Sequence, residues 1–196
     1  MSFTKRDVAL SLIAGFLVAV LFLISAKNLD VTLPFNKYLL PVIFPILALI
    51  GLYTLFRISR IWRPVAFQFG KFFIVGGLNT FMDLGILNLL IFLTDITHGI
   101  FFSVFKAVSF ILTVINSYFW NKLWTFDKRE GSFILFFLVT LGSFLINVSI
   151  ASFLVNYIGA PDGLSPKLWD NIEALRSLLF VLTWNFLGMK IFVFKK

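Results

Sequence analysis

The chain has no cysteine and a single histidine, His98, in 196 residues. The first absence removes disulfide scaffolds, thiolate metal sites and cysteine nucleophiles. The lone His98 sits in a short polar loop without thiolates or clustered carboxylates, so it gives no metal site. Charge is scarce as well: 13% of the residues are charged against 60% hydrophobic, where a soluble domain carries about 25% charged residues. Too little polar sequence lies between the apolar runs for a soluble catalytic domain of ~100 residues. Paired carboxylates on one interface, a nucleophilic serine with its base, a glycine loop followed by Lys and Ser or Thr, and an aspartate cluster are all missing. These absences argue against an enzyme and against a bound cofactor. The net charge of +8 does not indicate nucleic acid, because the basic residues flank apolar runs instead of forming one stripe.

What the chain does have is apolar sequence in runs of membrane-spanning length, so it reads as an all-α membrane protein with six transmembrane helices. Val8 to Ala26 is read as a first span, since it is long for a signal peptide and SAKN offers no convincing cleavage site. Tyr38 to Phe56 follows, with Pro41 in its first turn and Pro45 as a potential bend. Arg57 to Lys71, rich in arginine and aromatics, suits a short interfacial helix or a plain basic loop. The remaining spans are Phe69 to Thr94, Ile100 to Trp120, Phe133 to Ile158 and Ile172 to Phe194, with a Pro- and Gly-containing loop over Gly159 to Asn171. Six spans put both termini on one side. That side carries Lys5, Arg6, Arg57, Arg60, Arg63, Lys71, Lys122, Lys128, Arg129, Lys190, Lys195 and Lys196, against Lys27, Lys37, Lys167 and Arg176 on the other. The positive-inside rule then places both termini in the cytoplasm, in a multi-pass protein of the cytoplasmic membrane.

The third span carries an anomaly, Asp83 near its middle, about twelve residues or ~18 Å from either end. An ionised side chain at the centre of the hydrocarbon costs roughly 2.5 to 3.5 kcal/mol on insertion scales, so it turns towards protein or a wet cavity. Lys106 lies at a matching depth beyond the tight turn Asp95 to Gly99, which makes a buried ion pair the economical arrangement. Such a pair either locks the hairpin or lines a polar path, together with Asn79, Asn88, Asn116 and Asn147. Gly76, Gly77 and Gly85 allow close helix packing.

The chain also repeats itself. SYFWNKLWTF from Ser117 resembles NFLGMKIFVF from Asn185, matching Lys122 with Lys190, Trp124 with Phe192 and Phe126 with Phe194. KFFIVGGLNTFMDL from Lys71 lies over LFFLVTLGSFLINV from Leu135, so that Asp83 meets Asn147 without a gap. The last four spans thus read as a duplicated helical hairpin. Lys122 and Lys190, repeat-related and near the boundary beside aromatic rings, can offer ammonium groups to a lipid phosphate or simply snorkel to the interface.

These residues resemble the GtrA-like family of small membrane proteins. Its opening pattern is similar to Phe72, Val75, Gly76, Asn79, Thr80 and Asp83. Its second helix ends as Tyr118, Asn121, Lys122, Trp124 and Phe126 do here, with Ser117 where asparagine is usual and Asn116 beside it. Its closing pattern runs from Asn185 through Lys190 to Phe194. The resemblance covers residues 68–196 and leaves 1–67 as two additional N-terminal helices with a basic linker. It implies translocation of a polyprenyl-phosphate-linked monosaccharide across the cytoplasmic membrane for surface polysaccharide modification. The site residues would be Asp83, Lys106, Asn79, Asn116, Asn147, Asn121, Lys122, Asn185 and Lys190. The alternatives are a non-transporting partner or anchor of a polyprenyl-phosphate glycosyltransferase, and a small-multidrug-type exporter titrating Asp83. Lys106 argues against the exporter by holding Asp83 ionised. Partners are then the lipid-linked sugar, membrane lipid and a glycosyltransferase. A headgroup path through only six helices favours a homodimer on size alone.

Overall fold

In the computed structural model, residues 2–29, 35–61, 65–153 and 180–194 are described. The described residues are helical, joined by turns and short connections. The order is α1 (Lys5–Asn28), a 3-10 turn (Lys37–Leu39), α2 (Leu40–Ile61), α3 (Val65–Thr94), α4 (Gly99–Trp120) closed by a π turn (Asn121–Thr125), and α5 (Phe133–Phe153). A last apolar helix, α6 (Phe180–Val193), also ends in a π turn (Met189–Val193). Among the described residues, four helices, α1 to α4, are long and apolar enough to cross a membrane. The loop expected over Gly159 to Asn171 and the start of the sixth expected span lie outside the described residues.

Two compact units divide the chain, Met1–Asp127 and Lys128–Lys196. In the first, α1 begins at Thr4, whose hydroxyl accepts from the Asp7 backbone N–H while the Asp7 carboxylate accepts from the Thr4 N–H. This reciprocal cap satisfies donors that a helix start otherwise leaves open. The 30 residues of α3 span ~45 Å, more than the ~30 Å of a hydrocarbon core. The helix is therefore long enough to reach beyond the hydrocarbon. The basic connection expected as a short interfacial helix or a plain loop is instead drawn partly into helix ends, Arg57 and Arg60 into α2 and Val65 to Gln68 into α3.

Contacts in the first unit fix the helix directions. Gly15 meets Pro45, Phe22 meets Phe44 and Phe3 meets Tyr53, so α1 and α2 are antiparallel. Asp7 meets Lys71, Gly85 meets Leu21 and Asn28 meets Asn88, so α1 and α3 run parallel. At one end Leu52, Phe56, Phe67, Val75 and Trp124 form a buried cluster. A Cβ on Gly15 would stand 2.5 Å from the Pro45 Cα and 2.6 Å from the Phe44 carbonyl oxygen. Those are backbone atoms that cannot rotate away. Gly15→Ala is therefore expected to destabilise by roughly 1 to 3 kcal/mol, the usual range for overpacking, seen as a lower thermal midpoint. Gly76→Ala, whose new Cβ meets nothing within 4 Å, should stay within about 0.5 kcal/mol of wild type. Of the three glycines expected to serve close packing, Gly85 does so against Leu21, whereas Gly76 and Gly77 face open space.

Candidate functional site

The α3–α4 interface carries polar contacts from Asp83 to the closing end of α4. Asp83 and Lys106 form an ion pair, and the fully buried Ser109 donates to the other carboxylate oxygen at 2.6 Å. The pair is not sealed: the Lys106 side chain is 47% exposed and that of Asp83 26%. One helical turn from Asp83, Asn79 donates to Ser117 Oγ at 2.7 Å and accepts from Asn116 at 3.0 Å. Asn121 then donates to the Ser117 carbonyl at 2.9 Å. Asp83, Lys106, Asn79, Asn116 and Asn121 thus come together along one seam. Ser109 and Ser117 complete it; their signal was the spacing, since Ser109, Thr113, Ser117, Asn121 and Thr125 recur every fourth position and share a helix face.

That face also carries unsatisfied chemistry. Among the described residues, the buried side-chain atoms with no hydrogen-bond partner are Thr113 Oγ1, Asn121 Oδ1 and Thr125 Oγ1. All three belong to this one face, Thr113 within α4 and Asn121 and Thr125 in its closing π turn. A buried polar group without a partner costs roughly 1 to 3 kcal/mol, and a bilayer supplies no water to replace it.

The π turns at the ends of α4 and α6 close in the same way, with Phe126 N–H on the Asn121 carbonyl at 2.9 Å and Phe194 N–H on the Met189 carbonyl at 2.8 Å. Each presents a lysine. Lys122 lies 3.4 Å from the Tyr118 hydroxyl and over that ring, and Lys190 lies over Phe186. Neither has a carboxylate partner among the described residues. In the second unit Asn185 accepts from Ser143 at 2.5 Å. Asn147 is on α5, but its side chain lies outside the described residues. Asn88 is engaged elsewhere, accepting from Asn28 of α1 at 2.7 Å.

The structure adds a cluster absent from the sequence reading. Asp7, 2% exposed, pairs with Lys71 at 2.5 Å and accepts from Trp124 Nε1 at 2.9 Å. Lys71 also lies 4.5 Å from the centroid of the Phe67 ring. The partners are far apart in sequence, and Lys71 alone looks like an ordinary positive-inside residue. The available hint was the Thr4–Asp7 spacing of a helix cap, which says nothing about Lys71. Arg6 is matched too, to Asp127 at 2.9 Å, and it donates to the Leu123 carbonyl. Among the described residues no three His, Asp or Glu side chains gather as a metal site.

A family model described as GtrA/DPMS, transmembrane domain, matches residues 71–194. The uncharacterized membrane protein YngA of Bacillus subtilis (strain 168) is 30% identical over 130 residues, which span 64% of this chain and 78% of that protein. No solved structure gives a match.

Proposed function

Because the chain belongs to the GtrA/DPMS transmembrane family, we propose that it binds a polyprenyl-phosphate-linked monosaccharide and moves it across the cytoplasmic membrane. The observation that carries this reading is the polar α3–α4 seam, with its open-sided Asp83–Lys106 pair and three unpartnered buried oxygens. A hydroxyl-rich headgroup crossing hydrocarbon needs replacement hydrogen bonds throughout, and a seam of amides, hydroxyls and an ion pair offers them. Lys122 in the first unit and Lys190 in the second are each a phosphate contact in this reading. Neither has a carboxylate partner among the described residues, whereas Lys71, Lys106 and Arg6 are each matched to an acid.

Six spans, with the last four as a duplicated hairpin, belong to this proposal. Support comes from equivalent hydrogen bonds. Asn79 bonds Ser117 in the first hairpin, and at the matching positions of the second Ser143 bonds Asn185, with asparagine and serine exchanged. The shared π turns point the same way. The twelve basic residues on the side of the termini make that side cytoplasmic in this reading, by the positive-inside rule.

The test is lipid binding by the purified protein. Changing Lys122→Gln and Lys190→Gln together is expected to weaken binding of a polyprenyl-phosphate hexose by about tenfold or more, the size of a lost charge-assisted contact, with the thermal midpoint nearly unchanged. Undiminished binding would remove both lysines from the phosphate site. A protein that binds lipid or a glycosyltransferase but moves nothing across the bilayer would instead be an accessory partner.

A further inference from the structure

At the end of the first unit where α1 and α3 begin and α4 closes lies a cavity of about 430 Å3. Thr4 and Asp7 of the α1 start, Gln68 and Lys71 of α3, and Trp124 and Thr125 of the π turn are among its walls. Its volume is in the usual range for small-ligand sites, about 300 to 1,000 Å3.

The state of each wall group says what would fit. Asp7 is saturated: Lys71 and Trp124 donate to one oxygen, and the Thr4 backbone and hydroxyl to the other. It is scaffold, not a free acceptor. Lys71 gives one of its three donors to Asp7. The Gln68 amide has no hydrogen bond among the described residues. Thr125 is 3% exposed, and its hydroxyl is unpartnered. One turn deeper on the same face, Asn121 carries an unpartnered carbonyl oxygen. The cations are balanced, Lys71 by Asp7 and Arg6 by Asp127, so the wall offers a bare phosphate no net attraction to offset its desolvation. Groups that donate and accept at once, as hydroxyls do, match an amide, a hydroxyl and an ammonium together.

We propose that this cavity receives the hydroxylated sugar ring of the lipid-linked substrate. The inference rests on the reading under Proposed function and adds where the sugar docks. Thr4 and Asp7 precede residues 71–194, which the family model matches, so the N-terminal helix completes the headgroup site and is more than an appended anchor.

The test compares two probes, a polyprenyl-phosphate hexose and polyprenyl phosphate without sugar, bound to the full chain in nanodiscs. Wild type should prefer the hexose lipid by about tenfold or more. Thr125→Val and Gln68→Leu should each reduce that preference roughly five- to tenfold, the effect of one hydrogen bond inside a buried site, and leave binding of the bare phosphate lipid in place. Thr125→Val removes an unpartnered buried hydroxyl, so its thermal midpoint should hold or rise; Gln68→Leu is the independent check should the valine perturb folding. Equal wild-type affinity for the two lipids, or a preference unchanged in both variants, overturns the sugar site and leaves the broader reading standing. Binding of neither lipid overturns that reading itself.

Discussion

Asp7→Ala is expected to lower the thermal midpoint of the purified protein by on the order of 10 °C. Asp7 is 2% exposed, and the Lys71 side chain beside it is 14% exposed. Removing one partner of a buried pair leaves an uncompensated charge and typically costs about 3 to 5 kcal/mol. In a chain of this size each kcal/mol moves the midpoint by roughly 2 to 4 °C. The same change strips the Trp124 indole N–H of its acceptor and removes the carboxylate half of the Thr4 cap, so the loss should exceed that of Lys71→Met. The double variant Asp7→Ala with Lys71→Met should recover part of the loss, because it removes the stranded ammonium. A single variant that melts with wild type would mean that the pair does not fasten α1 to α3.

Asp83→Asn is expected to be the more damaging of the two for function. It leaves Lys106 without its acid within a membrane span, at a cost of roughly 2.5 to 3.5 kcal/mol. Stability and function separate in the double variant Asp83→Asn with Lys106→Met. Having no stranded charge, it should melt close to wild type, while it still lacks the ion pair. If the pair only locks the α3–α4 hairpin, the double variant keeps its activity. If the pair lines the headgroup path, the protein folds and activity is lost, which is the expected result.

Some of this was legible in sequence because it is periodic or local. Apolar runs marked α1 to α4 directly. Asp83 and Lys106 could be paired because the tight turn between their helices sets them at matching depths. The repeat, aligned residue by residue, sets Asn79 over Ser143 and Ser117 over Asn185, and the hydrogen bond within each hairpin joins those equivalent positions, Asn79 to Ser117 and Ser143 to Asn185. The Asp7, Lys71 and Trp124 cluster was not legible. Its members lie on three elements, and only the parallel packing of α1 on α3 brings them together. Each also has an ordinary local explanation, as cap, topogenic lysine and interfacial aromatic. The start of α3 is hidden for a related reason: hydropathy marks where the hydrocarbon begins, not where the helix does, so Val65 to Gln68 read as part of a separate interfacial helix or basic loop when they belong to α3.

The most direct test of the central claim is transbilayer movement of a polyprenyl-phosphate hexose in liposomes holding wild type, the Asp83→Asn and Lys106→Met double variant, or no protein. Translocation through the α3–α4 seam predicts protein-dependent movement by wild type and a loss of at least tenfold in a double variant that remains folded and reconstituted. Movement no faster than in protein-free liposomes, or an undiminished rate in the double variant, would contradict it.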